Sequence, residues 1–202
     1  MVLWATQVSK LRILGVDPGF ANVGLSIVDL FAVGGSDLVA TKLVVTSPTK
    51  GQAKKLGDEM RRLSEIEDAV ISFIDEYQPD ILSTEEPGKC LMRRAGKWAT
   101  NPSLLRTSCL MWGALHGVCR ARGIYTLMVG SKDIKLAMCN KKGASKEEVI
   151  AAVKAMYPAY NAWPTTKKVE HVADAVGAAV TGFTDPVVMV MARKLRTEHE
   201  NS

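Results

Sequence analysis

The stretch ILGVDPG at residues 13–19 joins a short apolar run to three turn-forming residues. An apolar run of this length is typical of a buried strand, and Asp-Pro-Gly is typical of the turn that ends one. The stretch therefore predicts a strand with Asp17 at its end. Two interpretations of Asp17 remain open at this point: a turn residue ahead of Pro18 and Gly19, or a functional carboxylate at the edge of a sheet.

Periodicity beyond this stretch predicts an alternation of strands and helices. Apolar runs at 23–28 and 38–45 predict two more strands, which form an antiparallel meander with the first. Apolar residues at steps of three and four predict a long amphipathic helix over 53–77. The remaining predicted elements are a strand at 80–84, a helix at 101–119, a strand at 125–129, a short helix capped by Ser131, and helices at 146–156 and 170–182. This order predicts an α/β protein, in which helices cover both faces of a five-stranded mixed sheet.

The length and composition fit one compact domain. The 202 residues are 47% hydrophobic and 23% charged, which is enough apolar material for a core of that size. We expect a domain over 10–183, with an N-terminal extension at 1–9 and a C-terminal tail at 184–202 that frays or docks on a partner. The four cysteines lack metal-ligand spacing, and no apolar run approaches the roughly 18 residues of a membrane span. We therefore expect a soluble protein of the cytoplasm, or of a host cytoplasm if the chain is viral.

The positive charge is concentrated in one part of the chain. The net charge is only +5, yet residues 87–132 contain eight Lys and Arg and no Asp or Glu. A second group of lysines follows between residues 135 and 168. Clustering of this kind indicates a polyanionic partner such as nucleic acid. A solvated surface without a partner is the other interpretation that charge alone leaves open.

Three carboxylates and a histidine form the candidate site. Asp17 and Glu85 each end a predicted strand, and these two strands are expected to be neighbours. His171 and Asp174 are three residues apart on the last predicted helix and so share a face. Such a cluster repels itself without a cation, and its hard oxygen ligands favour Mg²⁺ or Mn²⁺, two of which can assist hydrolysis of a phosphodiester.

Other interpretations of these residues stay open. Glu85 and Glu86 can both be surface carboxylates at the end of a strand, and His171 alone fits a hydrogen-bonded boundary residue. Asp174 is the hardest to explain in this way, because it lies on an Ala/Val-rich helix face. A carboxylate there is unfavourable unless it is paired or bound to metal.

Four motifs lie in the same order and spacing as in a known family: ILGVDPG at 13–19, QPDILSTE at 78–85, GASK at 143–146 and HVADA at 171–175. Together they resemble the RuvC-type Holliday junction resolvases of the ribonuclease H-like superfamily, over about residues 11–182. The resemblance implies a ribonuclease H-like fold and a homodimeric, metal-dependent crossover junction endodeoxyribonuclease. Such an enzyme nicks two opposed strands of a four-way DNA junction and leaves 5′-phosphate and 3′-hydroxyl ends.

The resemblance also implies the roles of individual residues. Asp17, Glu85 and Asp174 match the catalytic acids of the family, and the QPD start of the fourth strand favours Glu85 over Glu86. His171 matches a fourth position that is Asp in many members and His in some. These four are expected to hold two Mg²⁺ or Mn²⁺ ions per active site, with no organic cofactor. Whether His171 is a metal ligand or handles a proton stays open.

Basic residues near the scissile phosphate are implied in the same way. Lys146, which we count with the catalytic residues, and Lys135 match positions where a cation offsets charge that develops in the transition state. The family places an aromatic wedge after the fourth strand, where this chain has only Trp98, which is either a wedge or a core residue. The residues expected to contact DNA are Lys89, Arg93, Arg94, Lys97, Trp98, Lys132, Lys135, Lys141, Lys142 and Lys146.

Other assignments remain beside the resolvase. One is a broader branched-DNA or RuvX-like nuclease, and another is a nucleic-acid-binding module of the same fold without catalysis. An actin-like ATPase would need two such domains, for which 202 residues are too few. Because a four-way junction is pseudo-two-fold symmetric, we expect a homodimer. The apolar residues of the helix at 101–119 fit either the dimer interface or the core.

Overall fold

The computed structural model describes residues 9–51, 56–87, 91–94 and 97–200, and for 91–94, 97–100 and 199–200 it describes the secondary structure alone. Most of the predicted N-terminal extension therefore lies outside the described residues. So does the predicted start of the long helix at Ala53.

Five strands form one mixed sheet in the order β3-β2-β1-β4-β7. The first three are antiparallel neighbours, and β4 and β7 run parallel to β1. This arrangement confirms the predicted five-stranded mixed sheet with its initial meander. The strands are β1 (Lys10–Pro18), β2 (Asn22–Phe31), β3 (Ser36–Val45), β4 (Ile81–Glu85) and β7 (Tyr125–Val129).

Helices cover both faces of the sheet, as predicted, and enclose two apolar cores. Alternate residues of each strand point to opposite faces, so Ile13 and Ile81 belong to one core while Leu14 and Leu82 belong to the other. The first core is closed by α3, α4, α5 and α6, and the second by α1 and α2. The helices are α1 (Leu56–Tyr77), α2 (Pro102–Ala121), α3 (Ser131–Cys139), α4 (Lys146–Met156), α5 (Val169–Gly182) and α6 (Pro186–Glu200).

Local signals explain where two of these helices begin. The side chain of Asn101 accepts a hydrogen bond from the backbone N–H of Leu104, and Pro102 occupies the first helical position of α2. At the start of α4, Ser145 and Glu148 cap each other's backbone N–H groups in a capping box. Both starts agree with the sequence prediction. The predicted cap at Ser131 is wrong, because Ser131 is the first residue of α3 and Gly130 is its N-cap.

Helix α5 lies directly on the backbones of β1 and β2. A Cβ atom on Gly15 would come within 2.0 Å of the Ala175 carbonyl oxygen, and one on Gly24 within 1.9 Å of the His171 carbonyl oxygen. Ser83 of β4 donates a hydrogen bond of 2.6 Å to the Ala178 carbonyl. Glycine is therefore required at both strand positions for the helix to approach this closely.

The segment between Glu85 and α2 contains a hairpin where the sequence analysis expected only a basic loop. Strands β5 (Leu91–Arg94) and β6 (Lys97–Thr100) pair in antiparallel fashion, with Arg93 opposite Trp98 and Arg94 opposite Lys97. Strands of four residues are too short to show a clear alternation of apolar and polar residues, which is why periodicity did not reveal them.

The C-terminal segment forms helix α6 where the sequence analysis expected a tail that frays or docks on a partner. Val188 is fully buried, and Met191, Ala192 and Leu195 pack against the same core as α5. Arg196 Nε also donates a hydrogen bond of 2.8 Å to the Ala32 carbonyl. Among the described residues, no single helix is long and apolar enough to cross a membrane. Helices α5 and α6 pass that test only as a pair, with a bend of 68° between them.

We expect Gly24→Ala to lower the free energy of unfolding by about 2 kcal/mol or more, because the new methyl group collides with the backbone of α5. Gly57→Ala is the control, since no described atom lies within 4 Å of its Cβ position in α1. Urea unfolding followed by circular dichroism measures both. A Gly24→Ala variant as stable as the parent would contradict this close contact.

Candidate active site

The ends of β1 and β4 bring two carboxylates together. The parallel register pairs Ile13 with Ile81 and Val16 with Thr84, so one further step places Asp17 opposite Glu85. Alternation along β4 puts Glu85 on the same face as Ser83, which contacts α5, and Glu85 is half-buried. Glu86 follows the end of the strand and is exposed. The geometry thus favours Glu85 over Glu86.

Helix α5 adds His171 and Asp174 to these carboxylates. A hydrogen bond of 2.6 Å joins His171 Nδ1 to Asp17 Oδ2, and this bond raises the pKa of His171. Burial, together with the negative charges of Asp17 and Glu85, raises the pKa of Asp174 to about 7. Burial and the charge of Asp17 also raise the pKa of Glu85. The four predicted site residues therefore form one electrostatically coupled cluster.

Asp17 takes part both in the turn after β1 and in a contact with α5. Its carbonyl oxygen accepts a hydrogen bond of 3.0 Å from the Gly19 N–H, which belongs to the turn after β1. Its side chain meanwhile bonds to His171, which lies 154 residues further along the chain. The backbone of Asp17 thus forms the turn, while its side chain contacts α5.

The chemistry of this cluster suits a hard divalent cation. Within the described residues, no group of three or more His, Cys, Asp and Glu side chains is placed so that it could hold a metal ion as it stands. Burial, and after it the repulsion between carboxylates, nevertheless raises the pKa values of Asp174 and Glu85, and a cation among them would offset both effects. Carboxylate oxygens with one imidazole fit Mg²⁺ or Mn²⁺ in their donor type.

Glu170 is a residue of the site that the sequence analysis missed. Its Oε2 lies 2.8 Å from the Nζ of Lys146, and its Oε1 lies 3.7 Å from the Nε2 of His171. The sequence carries only a weak signal for this role, because an acidic residue in the first turn of a helix is common for other reasons. The contact depends on how α4 and α5 pack together.

The carboxylates Asp17 and Glu85 open onto a cleft of about 180 Å³. The turn after β1 forms one side, and Glu86 and Pro87 after β4 form another. Helix α2 contributes Ser108 to the lining. The hairpin β5–β6 begins only four residues beyond Pro87. The cleft therefore lies at the carboxyl ends of β1 and β4, and its lining residues Glu86 and Pro87 shortly precede the basic hairpin in the sequence.

Five of the lysines predicted to bind DNA lie on or between α3 and α4, and two of these five have acidic partners. Lys141 lies 2.9 Å from Glu148, and Lys146 contacts Glu170. Lys132 and Lys142 are exposed, while Lys135 of α3 is partly buried and its charge lies near Glu85.

The other predicted DNA-binding residues belong to the hairpin region. Its register puts Arg93 and Trp98 on one face and Arg94 and Lys97 on the other. Their side chains are not described, so both interpretations of Trp98 stay open. Lys89 lies outside the described residues.

The fold and site together define a class of nuclease. The five-stranded mixed sheet with helices on both faces has the ribonuclease H-like arrangement that the sequence motifs implied, and Asp17, Glu85 and Asp174 lie together at the adjacent ends of β1 and β4. The model of the crossover junction endodeoxyribonuclease RuvC family matches residues 13–182. The chain belongs to this family, whose members are metal-dependent nucleases. Helix α6 lies beyond the matched residues.

Two curated relatives carry the name crossover junction endodeoxyribonuclease RuvC. The protein from Clavibacter sepedonicus is 26% identical over 143 residues, which cover 71% of this chain and 62% of that protein. The alignment thus spans less than two thirds of that relative. The protein from Corynebacterium diphtheriae is 29% identical over 140 residues, which cover 69% of this chain and 76% of that protein.

Solved structures have the same fold. T. thermophilus RuvC in complex with Holliday junction substrate is 25% identical, with a TM-score of 0.65 over 92% of this chain and 97% of that one. The yeast mitochondrial Holliday junction resolvase Ydc2 is 12% identical, with a TM-score of 0.58 over 98% of this chain and 86% of that one. At 12% identity the second match supports the fold alone. The predicted ribonuclease H-like fold is confirmed.

We expect Asp174→Asn to change how stability depends on pH in metal-free protein. Between about pH 4 and 7 the folded parent keeps a proton on Asp174 that the unfolded chain has released, so its free energy of unfolding falls as pH rises. The variant lacks this titration. Its stability relative to the parent should therefore increase by about 2 to 4 kcal/mol between about pH 4 and pH 8.

Urea unfolding in EDTA at the two pH values measures this difference. Asp68→Asn, at an exposed acid of α1, is the control and should track the parent. An equal difference in the free energy of unfolding between Asp174→Asn and the parent at both pH values would mean that the folded protein does not raise the pKa of Asp174.

Proposed function

We propose that this protein is a structure-specific DNA endonuclease that resolves four-way junctions by paired nicks, leaving 5′-phosphate and 3′-hydroxyl ends. The observation that carries the proposal is the coupled cluster of Asp17, Glu85, His171 and Asp174 beside an open cleft. The family to which the chain belongs gives this cluster its reaction class. The complex of T. thermophilus RuvC with a junction supports the choice of substrate.

In this proposal the four cluster residues hold two Mg²⁺ or Mn²⁺ ions, and no organic cofactor takes part. Divalent ions in such a site supply a hydroxide nucleophile near neutral pH and stabilise the negative charge of the phosphate. Asp17 orients the imidazole of His171 through their hydrogen bond. Lys146, on the α4 side of the cluster, offsets charge on the phosphate in the transition state.

Two basic segments of the chain would supply contacts to DNA. The residues from Lys89 to the end of β6 include Lys89, Arg93, Arg94 and Lys97, and Trp98 offers a ring that can stack on a base. The α3–α4 region provides further lysines, including Lys132 and Lys142, which are exposed. Contacts of this kind go to phosphates, so they favour the shape of the junction over its sequence.

A homodimer would place two such sites on one junction, as the symmetry of the substrate demands. Helix α2 is the candidate interface. Its inner face is core, since Met111 and Leu115 are buried, but Leu105, Cys109, Gly113 and Gly117 are exposed along the outer side. Small residues four apart permit two helices to approach closely. Ser108 on the same helix lines the cleft, so an α2 interface would bring each partner close to the site.

We also propose that the protein acts in the cytoplasm, or in a host cytoplasm if the chain is viral. A broader branched-DNA or RuvX-like nuclease is the main alternative for the activity. Comparing the cleavage of four-way junctions, forks and linear duplexes distinguishes this alternative from the resolvase.

We expect the parent to cut a labelled four-way junction at paired, opposed positions in Mg²⁺ and not in EDTA, and to leave a matched linear duplex intact. Asp17→Asn should abolish cutting while junction binding in EDTA is kept, because the carboxylate serves catalysis. The exposed Asp68→Asn variant should cut like the parent. Gel analysis of the products and a mobility-shift assay measure the two properties.

Each other result has a definite meaning. Preferred cutting of forks or linear duplexes would support the broader branched-DNA nuclease. Binding without any cutting by the parent would support the non-catalytic module. Loss of binding in Asp17→Asn would mean that Asp17 mainly maintains the turn.

We expect the double substitution Arg93→Ala and Lys97→Ala to weaken junction binding and its dependence on salt. Each lost phosphate contact lowers the slope of log affinity against log salt by about 0.9, so two contacts lower it by about 2. Arg122→Ala is the matched control. Arg122 pairs with Asp75 near the start of β7, which lies at the opposite end of the strands from the cleft. An unchanged slope would place the hairpin outside the DNA contact.

A further inference from the structure

Glu170 links the two halves of the proposed active site. It lies in the first turn of α5, directly before His171, and its carboxylate faces Lys146 at the start of α4. The Oε2 of Glu170 is 2.8 Å from the Nζ of Lys146, and its Oε1 is 3.7 Å from His171 Nε2. Since His171 Nδ1 bonds to Asp17, a continuous chain of charged groups runs from the end of β1 to α4.

We infer that Glu170 is a positioning residue that holds the ammonium group of Lys146 beside the carboxylate cluster and thereby sets the rate of strand cleavage. The inference rests on the proposed nuclease function for its effect on rate. The contact between Glu170 and Lys146 does not depend on that function.

Lys146 needs such a partner because little else restrains it. Its side chain is 59% exposed, and a free lysine side chain has about 2 kcal/mol of rotamer entropy to lose when it is fixed. Glu148, an acid of the same helix, caps Ser145 and pairs with Lys141 instead. Within the described residues, the ion pair that Lys146 makes is with Glu170.

Stability is a weak explanation for this pair, because the side chain of Lys146 is 59% exposed even though that of Glu170 is 29% exposed. An ion pair with a solvent-exposed member contributes little to folding, since water screens the attraction and the side chains lose freedom. The ammonium group has three N–H donors, so one can stay on Glu170 while another reaches a phosphate oxygen. Glu170 can therefore hold Lys146 in place in the DNA complex as well.

A negative charge beside the DNA also has a predictable effect on binding. Glu170 repels nearby phosphates, so its neutralisation should leave affinity unchanged or slightly stronger even as the rate falls. A residue with a purely structural role would not separate rate from affinity in this direction.

The first test does not involve activity. Acetylation of the free protein by an activated acetate ester, followed by mass spectrometry, reports how accessible each lysine amine is. Glu170→Gln should raise the acetylation rate of Lys146 several-fold, while Lys142, which is exposed, serves as the internal control. An unchanged rate at Lys146 would overturn the inference whether or not the protein cleaves DNA.

The second test measures cleavage in a single turnover at saturating enzyme, together with junction affinity in EDTA. Glu170→Gln should lower the cleavage rate about tenfold, since small displacements of a catalytic group cost at least that much. Affinity should stay within about twofold of the parent or become tighter. In a Lys146→Met background Glu170→Gln should have no further effect, because its influence passes through Lys146.

Two results of this second test would overturn the inference. One is a rate for Glu170→Gln equal to that of the parent and of the Asp68→Asn control. The other is an equal loss in the presence and absence of Lys146, which would mean that Glu170 acts by another route. A parent that fails to cleave any junction would instead refute the proposed function, while the acetylation result would still decide whether Glu170 positions Lys146.

Discussion

The approach of α5 to the backbones of β1 and β2 is the constraint on which the site depends. Gly24 is the β2 partner of Asp17 in the antiparallel register, and the space above it is filled by the carbonyl of His171. The contact that packs the helix is therefore also the contact that sets the distance from His171 to Asp17. One turn further along, Gly15 admits Ala175 in the same way. Packing and site geometry cannot change independently here.

Apolar packing in turn holds together groups that repel each other. The neighbours of the site residues in α5, such as Val172, Ala173 and Val176, are buried almost completely and fix the helix against the sheet. This packing places Asp174 in the cluster, although burial and the charges of Asp17 and Glu85 raise its pKa. The domain thus accepts a local loss of stability at the position where a cation would remove it. Strain of this kind is typical of functional sites.

Much of this architecture could be predicted from the sequence because it depends on local patterns. The capping box at Ser145, the turn after Asp17 and the alternation of strand residues are all set by near neighbours in the chain. Alternation even distinguishes Glu85 from Glu86, since Ile81, Ser83 and Glu85 share the face that α5 covers. These signals sufficed for the sheet, whereas the preference for Glu85 over Glu86 in the sequence analysis came from the QPD motif of the family resemblance.

The features that the sequence did not reveal depend on tertiary contacts. Helix α6 carries mixed charge. Its apolar residues are explained only by the tertiary structure, in which Val188 lies in the same apolar core as α5. The strands of the hairpin are too short for a periodic signal. The pairing of Glu170 with Lys146 joins two helices whose relative placement no local pattern specifies.

The same limit applies to charge. The acid-free segment suggested a uniform basic surface, but its members differ once partners are known. Arg106 of α2 contacts Glu59, a buried carboxylate of α1, so this cation holds two helices together and belongs to the fold. Lys141 and Lys146, from the second group of lysines, meet Glu148 and Glu170. A DNA phosphate that approaches either lysine is also repelled by the negative charge of the carboxylate beside it. The number of basic residues in the sequence therefore overstates the positive charge that the free protein presents to DNA.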